Sequence, residues 1–282
     1  MRGKVRPVSL FQGTAEFYRE FRSGVPADVA AILIDAAPDR RPRSLLDVGT
    51  GTGFVIEALQ DDVDDVIGID VDDDLLMVAR SSLRPRPGQQ LAFVRARAED
   101  FTPPEGWTAD LVTICRTFHW LERPVVLDRL DSIVAPDGVV AILGDNSIWA
   151  DNAGWKSEIK TILAEFLGQD RRAGQGTYQR PPRPYAEDLS ASMFSDWEQH
   201  TVPVRRERSL DSVIGYLHST SFATPALFAD RLDDFHDAVR ERLPALAENG
   251  MYVDHNEFGI LVGRRPGAHR RPWRPLTRGS AV

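Results

Sequence analysis

The residues best suited to chemistry begin at Leu45-Leu46-Asp47-Val48-Gly49-Thr50-Gly51-Thr52-Gly53-Phe54. An apolar run ends in three alternating glycines and passes into a helical pattern. Glycines at such a junction let the backbone approach a ligand and adopt positive φ. A dinucleotide fold needs Gly-x-Gly-x-x-Gly; here the third glycine falls one position early and Phe54 fills the expected site. Asp47 would repel a pyrophosphate and would welcome an amine or a positive charge. A second acid, Asp70, ends the next apolar run, where a carboxylate accepts hydrogen bonds from ribose hydroxyls. Further on, Ala96-Arg97-Ala98-Glu99-Asp100-Phe101 offers polar groups to an adenine edge. Cys115-Arg116-Thr117-Phe118-His119-Trp120 supplies one candidate base, His119, and one thiol. The neighbours of Cys115 read as a strand end, which makes it lining and not a nucleophile.

These residues need a scaffold of alternating strands and helices. Ser44–Val48, Val66–Asp70, Leu91–Arg95, Asp110–Ile114 and Gly138–Leu143 read as buried parallel strands. Helical patterns lie at Asp28–Ala37, Gly53–Leu59, Asp73–Ser82 and Val125–Val134, and Asp137-Gly138 reads as a turn before the fifth strand. The alternation implies βαβ units in an α/β, Rossmann-like doubly wound sheet. Later strands at Glu198–Arg205 and Tyr252–Val262 would bring it to about seven mostly parallel strands, with a late antiparallel one. Helical stretches at Trp155–Leu167, Leu210–Ser219 and Pro225–Leu246 would cover the strands' C-terminal edge as a lid. The expected organisation is one domain over 1–263, with its core at 28–148, lid segments at 151–196 and 210–246, and a basic, disordered tail at 264–282.

Composition excludes other classes. The chain has 282 residues, 34 Lys plus Arg, 42 Asp plus Glu and a single Cys115. One cysteine permits no internal disulfide and no multi-cysteine metal site, so no metal is expected. No apolar run approaches a membrane span and the N-terminus has no signal-type apolar core, so a cytoplasmic protein without membrane or nucleic-acid partners is expected. The tail holds six Arg and no acid, which leaves 28 bases against 42 acids in residues 1–263, a charge of −14. So acidic a body is a poor partner for phosphate backbones and a better one for a cationic small molecule. Sequence says nothing of the oligomeric state.

In order and spacing, LLDVGTGTG, GIDVDDDLL, ARAEDF, ADLVTICRTFHW and SIVAPDGVVAIL resemble the class I S-adenosylmethionine-dependent methyltransferases. The likeness is to their small-molecule, methyltransferase type 11 branch and is strongest over Phe11 to Leu143. The upstream AEFYREFRSGVP is similar to that branch's lead-in, although Ser23 and Val25 depart from its usual proline and tyrosine. The resemblance implies S-adenosyl-L-methionine as cofactor and S-adenosyl-L-homocysteine as product. Gly49, Thr50, Gly51 and Gly53 would pass the methionine moiety, with Asp47 near its ammonium. Asp70 would hold the ribose, Val71 would flank the adenine, and Ala98 and Glu99 would meet its amino edge. Cys115, Arg116 and Thr117 would line the methionine moiety, Tyr18 and Arg22 would close over it, and His119 would serve as the base or shape the site. Substrate contacts are expected from Phe118, Trp120, Asp145, Asn146, Trp149, Tyr216, Ser219 and Phe222.

Methyl transfer is a direct displacement, so the protein mainly aligns the nucleophile and excludes water. The base-modifying Asn/Asp-Pro-Pro-Tyr/Phe motif is absent after the fourth strand. LDSVIGYLHSTSFATP looks like a segment of methyltransferases from antibiotic biosynthesis, including some that act on amino sugars. With the acidic body, that favours N-methylation of a cationic natural product such as an aminoglycoside. The alternative is O-methylation of a carboxylate or hydroxyl, with Arg116 or Arg205-Arg206 serving the anion. A non-catalytic cofactor-binding module and a dehydrogenase rank lower.

Overall fold

A computed structural model describes residues 15–151, 154–173, 176–178 and 183–268. The central sheet has seven strands: β1 (Ser44–Val48), β2 (Asp65–Asp70), β3 (Gln90–Arg95), β4 (Ala109–Cys115), β5 (Val134–Asp145), β8 (Asp196–Arg208) and β9 (Tyr252–Arg264). Their order is β3-β2-β1-β4-β5-β9-β8, and β9 alone runs against the others. β6 (Arg172–Ala173) and β7 (Gly176–Thr177) form a separate two-stranded hairpin. This is the doubly wound, seven-stranded, mostly parallel sheet that the alternation of elements implies.

Alternation along the strands divides the core. On β1, Leu45 enters one hydrophobic cluster with α2 (Ala27–Ala36) and α3 (Phe54–Leu59), whereas Leu46 and Val48 enter another with α5 (Arg123–Asp131). Successive strand residues point to opposite faces, so a strand buried on both sides is apolar throughout. α4 (Asp73–Ser82) follows β2 and is capped by Asp72, whose Oδ1 accepts from the backbone N–H of Asp74 at 2.9 Å and of Leu75 at 3.3 Å. A third cluster belongs to the lid. In it α6 (Trp155–Leu167), α8 (Leu210–His218) and α9 (Leu232–Arg242) bury Ile159, Leu163, Leu217, Phe235 and Val239 together.

Several boundaries differ from the sequence reading. β5 begins at Val134, and Asp137-Gly138 is an irregularity inside it: the register against β4 shifts between Ala109 and Leu111. A Cβ on Gly138 would stand 2.7 Å from the carbonyl oxygen of Ala109, so close pairing there requires glycine. The expected helix over 225–246 is broken into short turns flanking α9, since Ala229 has φ 52° and prolines stand at 225 and 244. Two short helices, α1 (Ala15–Phe21) and α7 (Tyr185–Ser190), carry too few residues for a legible period. The tail boundary at 264 is also corrected. Arg264 ends β9 and donates to Glu198, and Arg265 donates to Asp131 and to the carbonyl of Ala135. The rest of that tail, from 269, lies outside the described residues, as do 174–175 and 179–182. Among the described residues no helix is long and apolar enough to cross a membrane.

Candidate functional site

The C-terminal tips of β1, β2 and β4 converge on the glycine turn. Gly49, Gly51 and Gly53 have φ of 68°, 54° and 86°, a region that costs other residues of order 1–3 kcal/mol. A Cβ on Gly53 would stand 2.5 Å from Leu83 Cδ1, and one on Gly49 would strike Thr117. Gly51 differs: the nearest atom to a Cβ there is Tyr18 Cε1 at 3.9 Å, so its open side is roofed only by an aromatic edge. Two bonds stitch the turn to β2: Thr50 N–H donates to the Ile69 carbonyl at 2.9 Å, and Gly51 N–H to Asp70 Oδ2 at 2.9 Å. Asp70 Oδ1 accepts from Asp72 N–H at 3.0 Å. Each Asp70 oxygen keeps acceptor capacity for a hydroxyl. Burial raises this carboxyl above its ordinary value, although backbone donors oppose the shift. Beside it Val71 is 56% exposed, an apolar side chain left open at the strand tip.

Asp47 stands opposite Thr113 in the β1–β4 register, and the Thr113 hydroxyl donates to its Oδ1 at 2.7 Å. Its Oδ2 is buried without a partner among the described residues, and burial pushes the carboxyl up to about 6. Burial likewise pushes the Cys115 thiol up to about 12, so it stays protonated and is a poor nucleophile.

Arg116 follows with φ 56°. Its Nε donates to Asp145 Oδ1 at 2.5 Å, its Nη1 to the Ser23 carbonyl at 3.2 Å, and Arg206 Nη1 donates to Asp145 Oδ2 at 2.8 Å. Burial alone would raise Asp145, yet Arg116, with Arg22 and Arg206, holds it well below the usual carboxylate range. Arg116 and Arg206 are thereby committed to Asp145, and Arg205 is exposed and paired with Glu207. Of the three, Arg116 alone keeps a buried donor, Nη2, without a partner among the described residues.

α1 covers the turn. Tyr18 stacks on Phe54 at 6.0 Å and Arg19 forms two hydrogen bonds to Glu57, while Phe21 fills the space that a Cβ on Gly215 of α8 would take. Arg22 lies against the rings of Tyr18 and Tyr216, and its buried Nε has no partner among the described residues. His119 sits on a short turn, Phe118–Trp120, 4.5 Å from the Trp120 ring. Burial, then the charges of Arg171 and Arg22, bring it down to about 4.

Arg171 gave no signal in the sequence, because it lies in a lid segment without periodicity. Its guanidinium is 3.9 Å from the centre of the Tyr178 ring, 5.5 Å from Trp149 and 5.6 Å from Phe222. Its Nε is buried and unpartnered among the described residues, and burial lowers its pKa, with only the Tyr178 and Tyr216 hydroxyls opposing. Cation–π contacts supply about 0.5–2 kcal/mol, whereas an unsatisfied buried donor costs about 1–3 kcal/mol.

The other expected positions divide. Trp149 and Phe222 meet edge to face at 5.6 Å beneath Arg171, with Trp149 Nε1 buried and unpartnered, and Tyr216 takes Arg208 as well as Arg22. Ala98 packs partly against the core, and Glu99 accepts the Glu122 N–H at 3.1 Å. Four substrate positions fall elsewhere than expected. Phe118 is 1% exposed and packs on Tyr185, and the Ser219 hydroxyl is consumed by the Tyr216 carbonyl at 2.6 Å. Asn146 is exposed and bonds Asn256, lining a different groove with Lys156 and His255. Asp145 is tied up as described.

Residues 46–142 match the family profile described as a methyltransferase domain. This methyltransferase domain, together with the relatives that match most of the chain, indicates an S-adenosylmethionine-dependent methyltransferase. It is 26% identical over 255 residues to an uncharacterized methyltransferase of Mycobacterium tuberculosis, covering 89% of this chain and 94% of that one. A candidate type II methyltransferase from Anaeromyxobacter dehalogenans has the same fold, with TM-score 0.57 and 19% identity over 88% of this chain and all of that one. So does YcgJ of Bacillus subtilis, with TM-score 0.51 and 16% identity over 84% and 98% of the two chains. The residues at the turn fit the cofactor of this class: Asp70 with spare acceptor capacity, an open Gly51, and Arg22 with an unused donor.

Proposed function

We propose that this methyltransferase acts on a carboxylate of a small molecule, forming a methyl ester. In this reading Asp70 holds the ribose of the cofactor, the glycine turn admits its methionine moiety and Arg22 receives its carboxylate. When bound, S-adenosylmethionine supplies a methyl group on a sulfonium sulfur that keeps the electrons of the breaking C–S bond, so the acceptor must bring its own electron pair.

One observation carries the choice of acceptor: Arg22 and Arg171 lie against aromatic rings under the lid, each with a buried Nε that has no partner among the described residues. A cationic acceptor would meet like charge there, which costs several kcal/mol when desolvated, as a rough scale. Asp145, which the sequence reading assigned to substrate, has both oxygens taken by arginines. His119, held near 4, has too little proton affinity to strip an ammonium or a hydroxyl. A carboxylate needs no such base, because its attacking oxygen is already ionised and no proton changes hands. The net charge that favours an amine in the sequence sits instead on exposed residues such as Asp61, Asp73, Asp74, Asp233 and Asp234.

The test is incubation with S-adenosylmethionine and pooled acids, amines and phenols, followed by mass analysis of products before and after mild alkali. An alkali-labile methylated acid is expected. Alkali-stable methylated amines as the sole products would refute the reading.

A further inference from the structure

A cavity of about 350 Å³ opens in the lid between α6 and residues 168–172, and most of the side chains that line it are polar. Three of them are cations, Lys160, Arg171 and Arg172. Lys160 and Arg171 share one indole: the ammonium is 5.9 Å and the guanidinium 5.5 Å from the centre of the Trp149 ring. Of the two acids on the rim, Glu165 accepts two hydrogen bonds from Arg242, at 3.0 and 2.8 Å, and Asp170 is exposed. Positive charge therefore outweighs negative here, against the sign of the chain as a whole. Two buried donors of the lining, Arg171 Nε and Trp149 Nε1, have no partner among the described residues. Burial lowers the pKa of Arg171 and of Lys160, as it does for cations short of counter-charge.

We infer that this cavity is a binding site for a small phosphate monoester, with Lys160, Arg171 and Arg172 around its doubly charged head and Trp149 Nε1 donating to one of its oxygens. An ionised phosphate offers acceptors, whereas arginine, lysine and indole side chains offer only donors. Such a head supplies the acceptors that the two orphaned N–H groups lack, and leaving them buried without one is costly. Arginine meets phosphate through a planar fork and lysine as a point charge. A single carboxylate would leave much of the positive charge of three cations unmatched, which favours the dianion. Organic ligands occupy sites of about 300–1,000 Å³, so the cavity has room for a small body beyond the head. The site lies in the lid and uses no residue of the glycine turn. A bound dianion neutralises Arg171, which leaves Arg22 to attract an acidic acceptor.

The experiment is calorimetry on the full chain at about pH 8, where phosphate is doubly ionised. It compares inorganic phosphate, phenyl phosphate and benzoate, a monoanion on the same ring, with and without saturating S-adenosylhomocysteine. Phenyl phosphate should bind once per chain, more tightly than inorganic phosphate and at least about tenfold more tightly than benzoate. Trp149→Phe keeps a ring and removes the N–H, and should weaken phenyl phosphate by about tenfold; Arg171→Gln should weaken it by at least as much. Unchanged affinity for S-adenosylhomocysteine verifies that each variant is folded. Benzoate binding as tightly as phenyl phosphate, an affinity insensitive to both substitutions, or no binding of either phosphate would overturn the inference. Inorganic phosphate binding as tightly as phenyl phosphate would overturn the monoester. Displacement of phenyl phosphate by S-adenosylhomocysteine would place the anion at the glycine turn and would also overturn it. None of these outcomes alters the carboxylate reading, which stands or falls on the identity of the methylated product.

Discussion

Asp70 ties the glycine turn to β2 through Gly51 N–H and still presents two oxygens with open lone pairs. Asp70→Ala removes the proposed ribose acceptor and one stitch of the turn. Its affinity for S-adenosylhomocysteine should fall by about 10- to 100-fold in calorimetry, the scale of one or two hydrogen bonds to a charged group. Asp47 and His119 make the opposite kind of prediction, because both are held away from their ordinary values. His119 is lowered from 6.5 to about 4, so the unfolded chain protonates first and stability is lost as pH falls across that window. Asp47 is raised from 3.8 to about 6, so its contribution is present at low pH and lost as pH rises through about 6. Relative to wild type, His119→Asn should therefore gain stability as pH drops from 6.5 to 4. Asp47→Asn should gain as pH climbs from 3.8 to 6. Thermal melts across that range check both signs. The glycines and the two strand-tip acids were legible in sequence because their chemistry is local. Arg171 was not, since its significance arises from Trp149, Phe222 and Tyr178, which are neighbours only in the fold.

Among the elements, α1 links the cofactor turn to the lid: Tyr18 and Arg19 reach α3, whereas Phe17 and Phe21 rest on α8. Gly215 makes that contact possible, since a Cβ there would lie 2.5 Å or less from several atoms of the Phe21 ring. Helix propensity alone would make Gly215→Ala stabilising by about 1 kcal/mol. The contact predicts a lower melting temperature together with weaker S-adenosylhomocysteine binding, because a displaced α1 no longer roofs Gly51. A higher melting temperature with unchanged affinity would show that α1 is not seated there. Seven residues of AEFYREF are too few for a legible helical period, although the resemblance places Tyr18 over the cofactor. The strands, by contrast, could be read within a few residues, because burial on both faces leaves β1, β2 and β4 almost wholly apolar. β5 shows where such reading stops: Pro136, Asp137 and Gly138 spell a turn, yet the strand carries them as an irregularity within its pairing to β4.

For the molecule as a whole, net charge and local charge have opposite signs. Residues 1–263 carry −14, much of it on exposed residues, while Arg22 and Arg171 lie under the lid, each with a buried Nε that has no partner among the described residues. Composition can give only the first quantity, so the sequence favours an amine acceptor, whereas the carboxylate acceptor proposed above rests on the local arginines. The most direct discrimination is a matched pair with one body and two heads, 4-phenylbutanoate and 4-phenylbutylamine, compared by kcat/KM with saturating S-adenosylmethionine. The acid should be preferred by at least roughly 100-fold, the scale of placing like charge beside a desolvated cation. A preference for the amine would contradict the assignment of the arginine-lined crevice to an anionic acceptor.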